Sequence, residues 1–216
     1  MTPKVYIDTT VLKFSATQLP RLRPRKQNIN WGGRDHELTV HDFVRINPND
    51  SIDNPKLKAE AELLPSLAEA GKNGIVKYVI QVETTFESWG IPKMDSETGK
   101  FYDAPYEYVE APIKYSRVLI GFGFDAREMQ FRFLSSIKNK RFLELQKITG
   151  AYQGPGKFNR NQLLDTFHLW CAEYNNCDYF LTLDFKLIRM LRKQKSRLLS
   201  EIVKPSELME RIGLSI

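Results

Sequence analysis

Short apolar runs alternate with longer amphipathic stretches along this chain. "KVYID" (4–8) is a brief apolar run closed by an acid, and "TTVLKFSATQ" behind it opens a helix with Thr9 or Thr10 as its cap. "NPKLKAEAELLPSLAEAGKNG" has helical spacing from about 55 to 71, with Pro55 near the first turn, Pro65 as an interruption and Gly71 at the end. "IVKYVIQV" is a β-branched strand, and "ETTFESWG" after it is a short helix closed by Gly90. From Ala126 to Thr149 the apolar spacing predicts one or two helices, and "GAYQGPGKFNRNQ" is a glycine-rich loop without a phosphate-binding fingerprint. A helix over 160–175, a strand over 178–183, the basic helix "FKLIRMLRKQ", a short strand in "LLSEIV" and a capped terminal helix "KPSELMERIG" follow. Strand and helix in alternation predict an α/β fold with a mainly parallel sheet.

Two stretches break this rhythm. Residues 19–54, with "LPRLRPRKQNINWGG", read as an irregular insertion or long loop suited to contacting nucleic acid. Residues 91–112, with three prolines and many Tyr and Glu, read as a second insertion, and "KYSRVLIGFGF" behind them has strand character.

Composition narrows the class. With 42% apolar and 27% charged residues the chain suits one globular domain rather than a disordered one. No apolar signal core and no membrane-length apolar run occur, which predicts a soluble cytoplasmic protein with no membrane partner. Cys171 and Cys177 are too few for a structural zinc site and are expected as buried, inert thiols in a reducing compartment. A net charge of +6 and a pI near 9.2 favour a polyanionic partner.

The acids carry the chemistry. In parallel sheets ligands sit beyond the carboxyl ends of the strands. Asp8 and Asp184 end strands there, Glu83 and Glu87 share one face of the helix after a third strand, and Asp165 lies early in a helix. Around Asp165 the apolar positions leave a polar stripe centred on Thr166 and Glu173, about 80–100° away, so Asp165 is expected half-buried. A buried unpaired carboxylate costs several kcal/mol, and four acids on one rim without matching cations beside them point to a divalent cation, Mg²⁺ or Mn²⁺. Glu87, one turn deeper, is preferred over Glu83. His168 is a candidate phosphate or metal-water contact, with a hydrogen-bonded core histidine as the alternative. Arg21, Arg23, Arg25 and Lys26, the basic helix after Asp184, and Lys157 and Arg160 are candidate backbone-phosphate contacts, and Trp31 and Tyr152 candidate base-stacking residues.

"VYIDTTVL", "VIQVETTFES", "LLDTFHLWCAEYNNCDYFLTLDFKL" and "EIVKPSELME" together resemble the PIN domain, a nuclease family that includes the toxins of many bacterial toxin-antitoxin pairs. The likeness covers roughly half the chain, and the third segment is the most specific through its Asp-x-x-His-Leu helix and its strand ending Thr-x-Asp. It implies a three-layer α/β/α domain and an acidic Mg²⁺ or Mn²⁺ site that cuts RNA. Position by position, Asp8, Glu87 (with Glu83 as fallback), Asp165 and Asp184 match the four family acids, and Thr10 a small residue that hydrogen-bonds the site. The chain departs from the toxins by extra material at about 19–73 and 91–155, expected to serve substrate selection, a partner surface such as a cognate antitoxin, or a homodimer interface. Competing expectations are a DNA-directed or flap-type nuclease and a non-catalytic RNA-binding or scaffold module.

Overall fold

Val5, Tyr6 and Ile7 are all fully buried within one short strand, an arrangement that needs cover on both faces of a sheet. The computed structural model describes residues 2–16, 19–88, 100–116, 126–193 and 197–214. Among them β1 (Lys4–Ile7) leads into α1 (Thr9–Phe14), a long hairpin of β2 (Leu19–Trp31) and β3 (Arg34–Ile46), then α2 (Pro55–Ala61) and α3 (Leu64–Lys72). β4 (Lys77–Ile80), α4 (Val82–Ser88), β5 (Tyr106–Tyr108), α5 (Ala126–Ser136) and α6 (Lys140–Ile148) come next. A small hairpin of β6 (Tyr152–Gly154) and β7 (Lys157–Phe158) precedes α7 (Arg160–Tyr174), β8 (Tyr179–Leu181), α8 (Phe185–Arg192), β9 (Glu201–Val203) and α9 (Pro205–Arg211).

The central sheet has the order β5-β4-β1-β8-β9, with every pairing parallel. Alternation along its strands divides the core in two. Tyr6, Val79, Phe180 and Ile202 pack with residues of α5, α6, α7 and α8 on one face. Val5, Ile7, Tyr78, Ile80, Leu181 and Val203 pack with residues of α1, α3 and α9 on the other. The architecture is thus the expected three-layer α/β/α. From β1 the chain first builds outward through β4 and β5, then returns to the other flank with β8 and β9, so the order reverses at β1. In open parallel sheets that reversal opens a crevice at the carboxyl ends of the strands.

Several elements differ from expectation. The stretch read as an irregular loop over 19–54 contains a regular antiparallel ribbon, pairing from Leu19 with Ile46 to Trp31 with Arg34. Prolines at 20 and 24 are tolerated because a two-stranded ribbon leaves an outer edge that needs no N–H donor. The region read as a second insertion supplies β5, a sheet edge too short for periodicity to reveal. Asp8 itself, rather than Thr9 or Thr10, caps α1 by accepting from the Thr9 N–H. Of the candidate strand at 114–124, residues 117–124 lie outside the described residues, as does Gly90.

The stripe of Thr166 and Glu173 on α7 is buried rather than solvent-facing, because α6 covers it. Thr166 shares a 2.6 Å hydroxyl contact with Thr149, and Glu173 takes both Nε and an Nη of Arg141 at 2.8 and 2.7 Å. Glu173 also accepts from the Leu199 N–H. This bidentate pair ties α6 to α7, which carries Asp165 and His168. Arg141→Ala leaves Glu173 buried and unpaired, and is expected to cost about 3 kcal/mol in urea unfolding, whereas an exposed pair would cost under about 1 kcal/mol.

Candidate metal and phosphodiester site

Asp8 stands where β1 ends, at the reversal of strand order. It is buried, and its carboxylate is gripped by three donors: the Thr9 N–H at 2.8 Å, the Thr10 hydroxyl at 2.6 Å and the Thr182 hydroxyl at 2.6 Å. Thr182 follows β8 and is buried, so the adjacent parallel strands β1 and β8 deliver acid and hydroxyl to one point. The Thr10 hydroxyl also accepts the Leu183 N–H, and the Thr182 hydroxyl the Asp184 N–H, at 3.1 and 3.0 Å. Burial raises the Asp8 carboxyl above its ordinary range, against the pull of the two threonine hydroxyls.

Asp184 caps α8, one carboxylate oxygen accepting the N–H groups of Lys186 and Leu187 at 2.8 and 2.9 Å. Glu87 projects from α4 toward α1 and α7. It accepts hydrogen bonds from the Thr9 hydroxyl and from His168 Nε2, the latter at 2.9 Å. His168 is fully buried, its Nδ1 lying 2.8 Å from the Tyr6 hydroxyl. Burial pulls this imidazole down, but the bond and charge of Glu87, joined by Asp8 and Asp165, outweigh it and leave it raised. Glu87 moves oppositely: burial lifts it, and the His168 and Thr9 bonds more than offset that. The two shifts run in opposite directions through the same 2.9 Å contact between His168 and Glu87.

Asp165 lies three residues before His168, on the same side of α7. It is half-buried, and among the described residues no hydrogen bond reaches its carboxylate. Its carboxyl is pushed well above the ordinary range, by burial first and then by the negative charges of Asp8, Glu87 and Asp184, with His168 opposing. The four acids are therefore electrostatic neighbours, and Asp165 is the member without a compensating partner.

Glu83 is elsewhere. It is fully buried and receives Tyr115 Oη at 2.9 Å and Gln130 Nε2 at 2.5 Å. Its four-residue offset from Glu87 puts both on one side of α4, but the first turn faces the packing of α5 while the second faces the sheet rim. Of the proposed phosphate contacts, Arg160 is engaged by Glu128 and covers the Phe131 ring, and Lys157 is exposed on β7. Tyr152 packs edge-on against Phe158. Cys171 and Cys177 are free and buried, with burial raising both thiols, Cys177 to about 12.

Tyr6, Thr9 and Thr182 belong to the site without having been singled out in the sequence. Thr182 stands in the Thr-x-Asp element and Thr9 beside Asp8, so both were in view as text. Tyr6 gave no signal, since a tyrosine in an apolar strand reads as core.

Among the described residues no three Asp, Glu, His or Cys side chains already form a metal-sized cage. The donor chemistry nonetheless fits a hard divalent cation: oxygen ligands, a half-buried carboxylate lacking a donor, and an Asp184 oxygen not used by its cap. No protein-family model, curated protein or solved structure matches the chain. Among the described residues no helix is long and apolar enough to cross a membrane.

Raised carboxyls have a definite sign in stability. Asp8 and Asp165 hold their protons more tightly folded than unfolded, so they favour the folded state at acidic pH, and that advantage is lost as pH climbs from about 3.9 through their raised values. Their share of the melting temperature of metal-free protein should fall over that rise, opposed by Glu87, whose lowered carboxyl acts in the reverse sense. Asp165→Asn should flatten the fall and stabilise the protein at neutral pH by about 0.5–2 kcal/mol. An unchanged pH profile in the variant counts against electrostatic crowding.

Proposed function

We propose that the chain is a divalent-cation-dependent endoribonuclease of the PIN type. The observation that carries this reading is the half-buried Asp165 carboxylate, crowded by Asp8, Glu87 and Asp184 at the strand-order reversal and lacking a hydrogen-bond donor. A charge cluster of this kind is stable near neutral pH when a cation neutralises it. Asp8, Glu87, Asp165 and Asp184 would hold Mg²⁺ or Mn²⁺, and the bound cation would activate water and steady the departing oxygen of a phosphodiester.

The chain's own residues supply position. Thr10 and Thr182 both donate to one oxygen of the Asp8 carboxylate and the Thr9 N–H to the other, while Asp184 is fixed by the first turn of α8. The buried His168, braced by the Tyr6 hydroxyl, fixes Glu87, so it acts as a positioning residue and does not touch substrate. RNA, rather than DNA, follows from the family resemblance, and the same resemblance would extend to a toxin role with an antitoxin partner.

The test is purified protein with Mn²⁺ and matched single-stranded RNA and DNA oligonucleotides. RNA should be cut, and Asp8→Asn or Asp184→Asn should lower the rate by more than about 100-fold, beyond the usual effect of losing a residue that only supports a ligand. Thr182→Val should lower it by about 10–100-fold. Metal-dependent cutting of DNA alone would replace the ribonuclease reading with a DNA-directed one. Binding of RNA without cutting would leave a non-catalytic module.

A further inference from the structure

The β2–β3 ribbon is the largest feature that the acidic site does not use. Its strands pair with one another and not with the central sheet, and at ~3.4 Å per residue its 13-residue arms reach about 40 Å. An isolated two-stranded ribbon is marginal in water, so a partner surface would stabilise it.

Register sorts its side chains. Residues directly opposite share a face, and positions two apart on one strand share it too. One face holds Arg21, Arg23 and Arg25 in a row, then Gln27, Ile29 and Trp31, opposite Val44, Asp42, Val40, Leu38, His36 and Arg34. The other holds Lys26 and Arg45 with Asp35 and Glu37. There Lys26 pairs with Glu37 at 2.7 Å and Asn30 with Asp35 at 2.8 Å, so the charges of that face largely satisfy one another, while Leu22 and Phe43 lie exposed on it opposite each other.

The arginine face does not. It carries four arginines against one acid, and only Arg25 is neutralised, by Asp42 at 2.8 Å. Among the described residues Arg21, Arg23 and Arg34 form no ion pair, and all four arginines are exposed. Trp31, 76% exposed, ends the same face beside Arg34 at the Gly32-Gly33 turn. Cations in a row at a spacing of about 7 Å, ending in an open indole, suit a strand that is both polyanionic and rich in flat π faces. The ribbon is rooted behind α1, a helix about 9 Å long whose cap is Asp8.

We propose that this ribbon face is a single-stranded RNA-binding arm, with Arg21, Arg23 and Arg34 on the backbone phosphates, Arg25 held by Asp42 between them, and Trp31 stacked on a base. Lys26 lies outside the contact because it points to the opposite face. The proposal rests on the ribonuclease reading for the identity of the polyanion, and it extends that reading to substrate capture away from the acids.

The experiment measures binding of fluorescent single-stranded RNA to the full chain carrying Asp8→Asn and Asp184→Asn, across a KCl series. Adding Arg21→Gln, Arg23→Gln and Arg34→Gln should weaken binding by about tenfold or more. It should also reduce the slope of log K against log salt by about 2, since each single-strand phosphate contact contributes about 0.7. The corresponding triple Lys variant should keep that slope, and Trp31→Ala should weaken binding by about tenfold without changing it. Unchanged affinity and slope in the Gln variant overturn the proposal. So does a Gln variant that turns a dimer into a monomer in sedimentation while holding RNA as before, which would make the arm an interface between copies. Cleavage by the chain with intact acids is followed separately. Arm-dependent binding without cleavage supports the arm and ends the nuclease reading, while cleavage with arm-independent binding does the reverse.

Discussion

Charge crowding at the carboxyl ends of the central strands is the constraint around which the rest of the molecule is arranged. Asp165 feels Asp8, Glu87 and Asp184, and burial removes the water that would screen them. Carboxylates brought together in this way separate unless something holds them. Here the holders are local and specific: two threonine hydroxyls and a backbone amide on Asp8, a helix start on Asp184, and a buried imidazole on Glu87.

Those holders depend in turn on packing. The Tyr6 ring stacks on Phe180 at 5.5 Å across the β1–β8 pairing, which fixes the hydroxyl that braces His168. α7 keeps its orientation through Phe167 and Trp170 against Phe142, and through the Arg141-Glu173 pair beneath. The apolar half of the molecule thus stabilises a polar arrangement that by itself would fly apart.

The ribbon represents a different solution. It lies outside both cores and keeps its shape through cross-strand pairing, with charges neutralised on one face and left open on the other. The acids gather at the carboxyl ends of the central strands and the open arginines on the ribbon, so opposite charge stands on separate parts of one chain.

Much of this was legible in the residues. The apolar rhythm of β1, β4 and β8 and the helical spacing of α7 determine the α/β class, and the rule that ligands sit beyond strand ends singles out Asp8 and Asp184. Strong local periodicity carries such information because each residue reports its own face. The stretch from Leu19 to Ile46 escaped because its prolines and exposed charges mask the alternation of Leu38, Val40, Val44 and Ile46 on its second arm, and its regularity comes from pairing between its own arms. Glu83 and Glu87 share a helical side, so sequence could rank them but not separate them. Only the packing of α5 on the first turn of α4, and of His168 on the second, decided that one carboxylate would be sealed in the core and the other set beside the acids. Partners distant in sequence, such as Thr182 with Asp8, are brought together by the parallel pairing of β1 and β8, and that contact exists only once the sheet has formed.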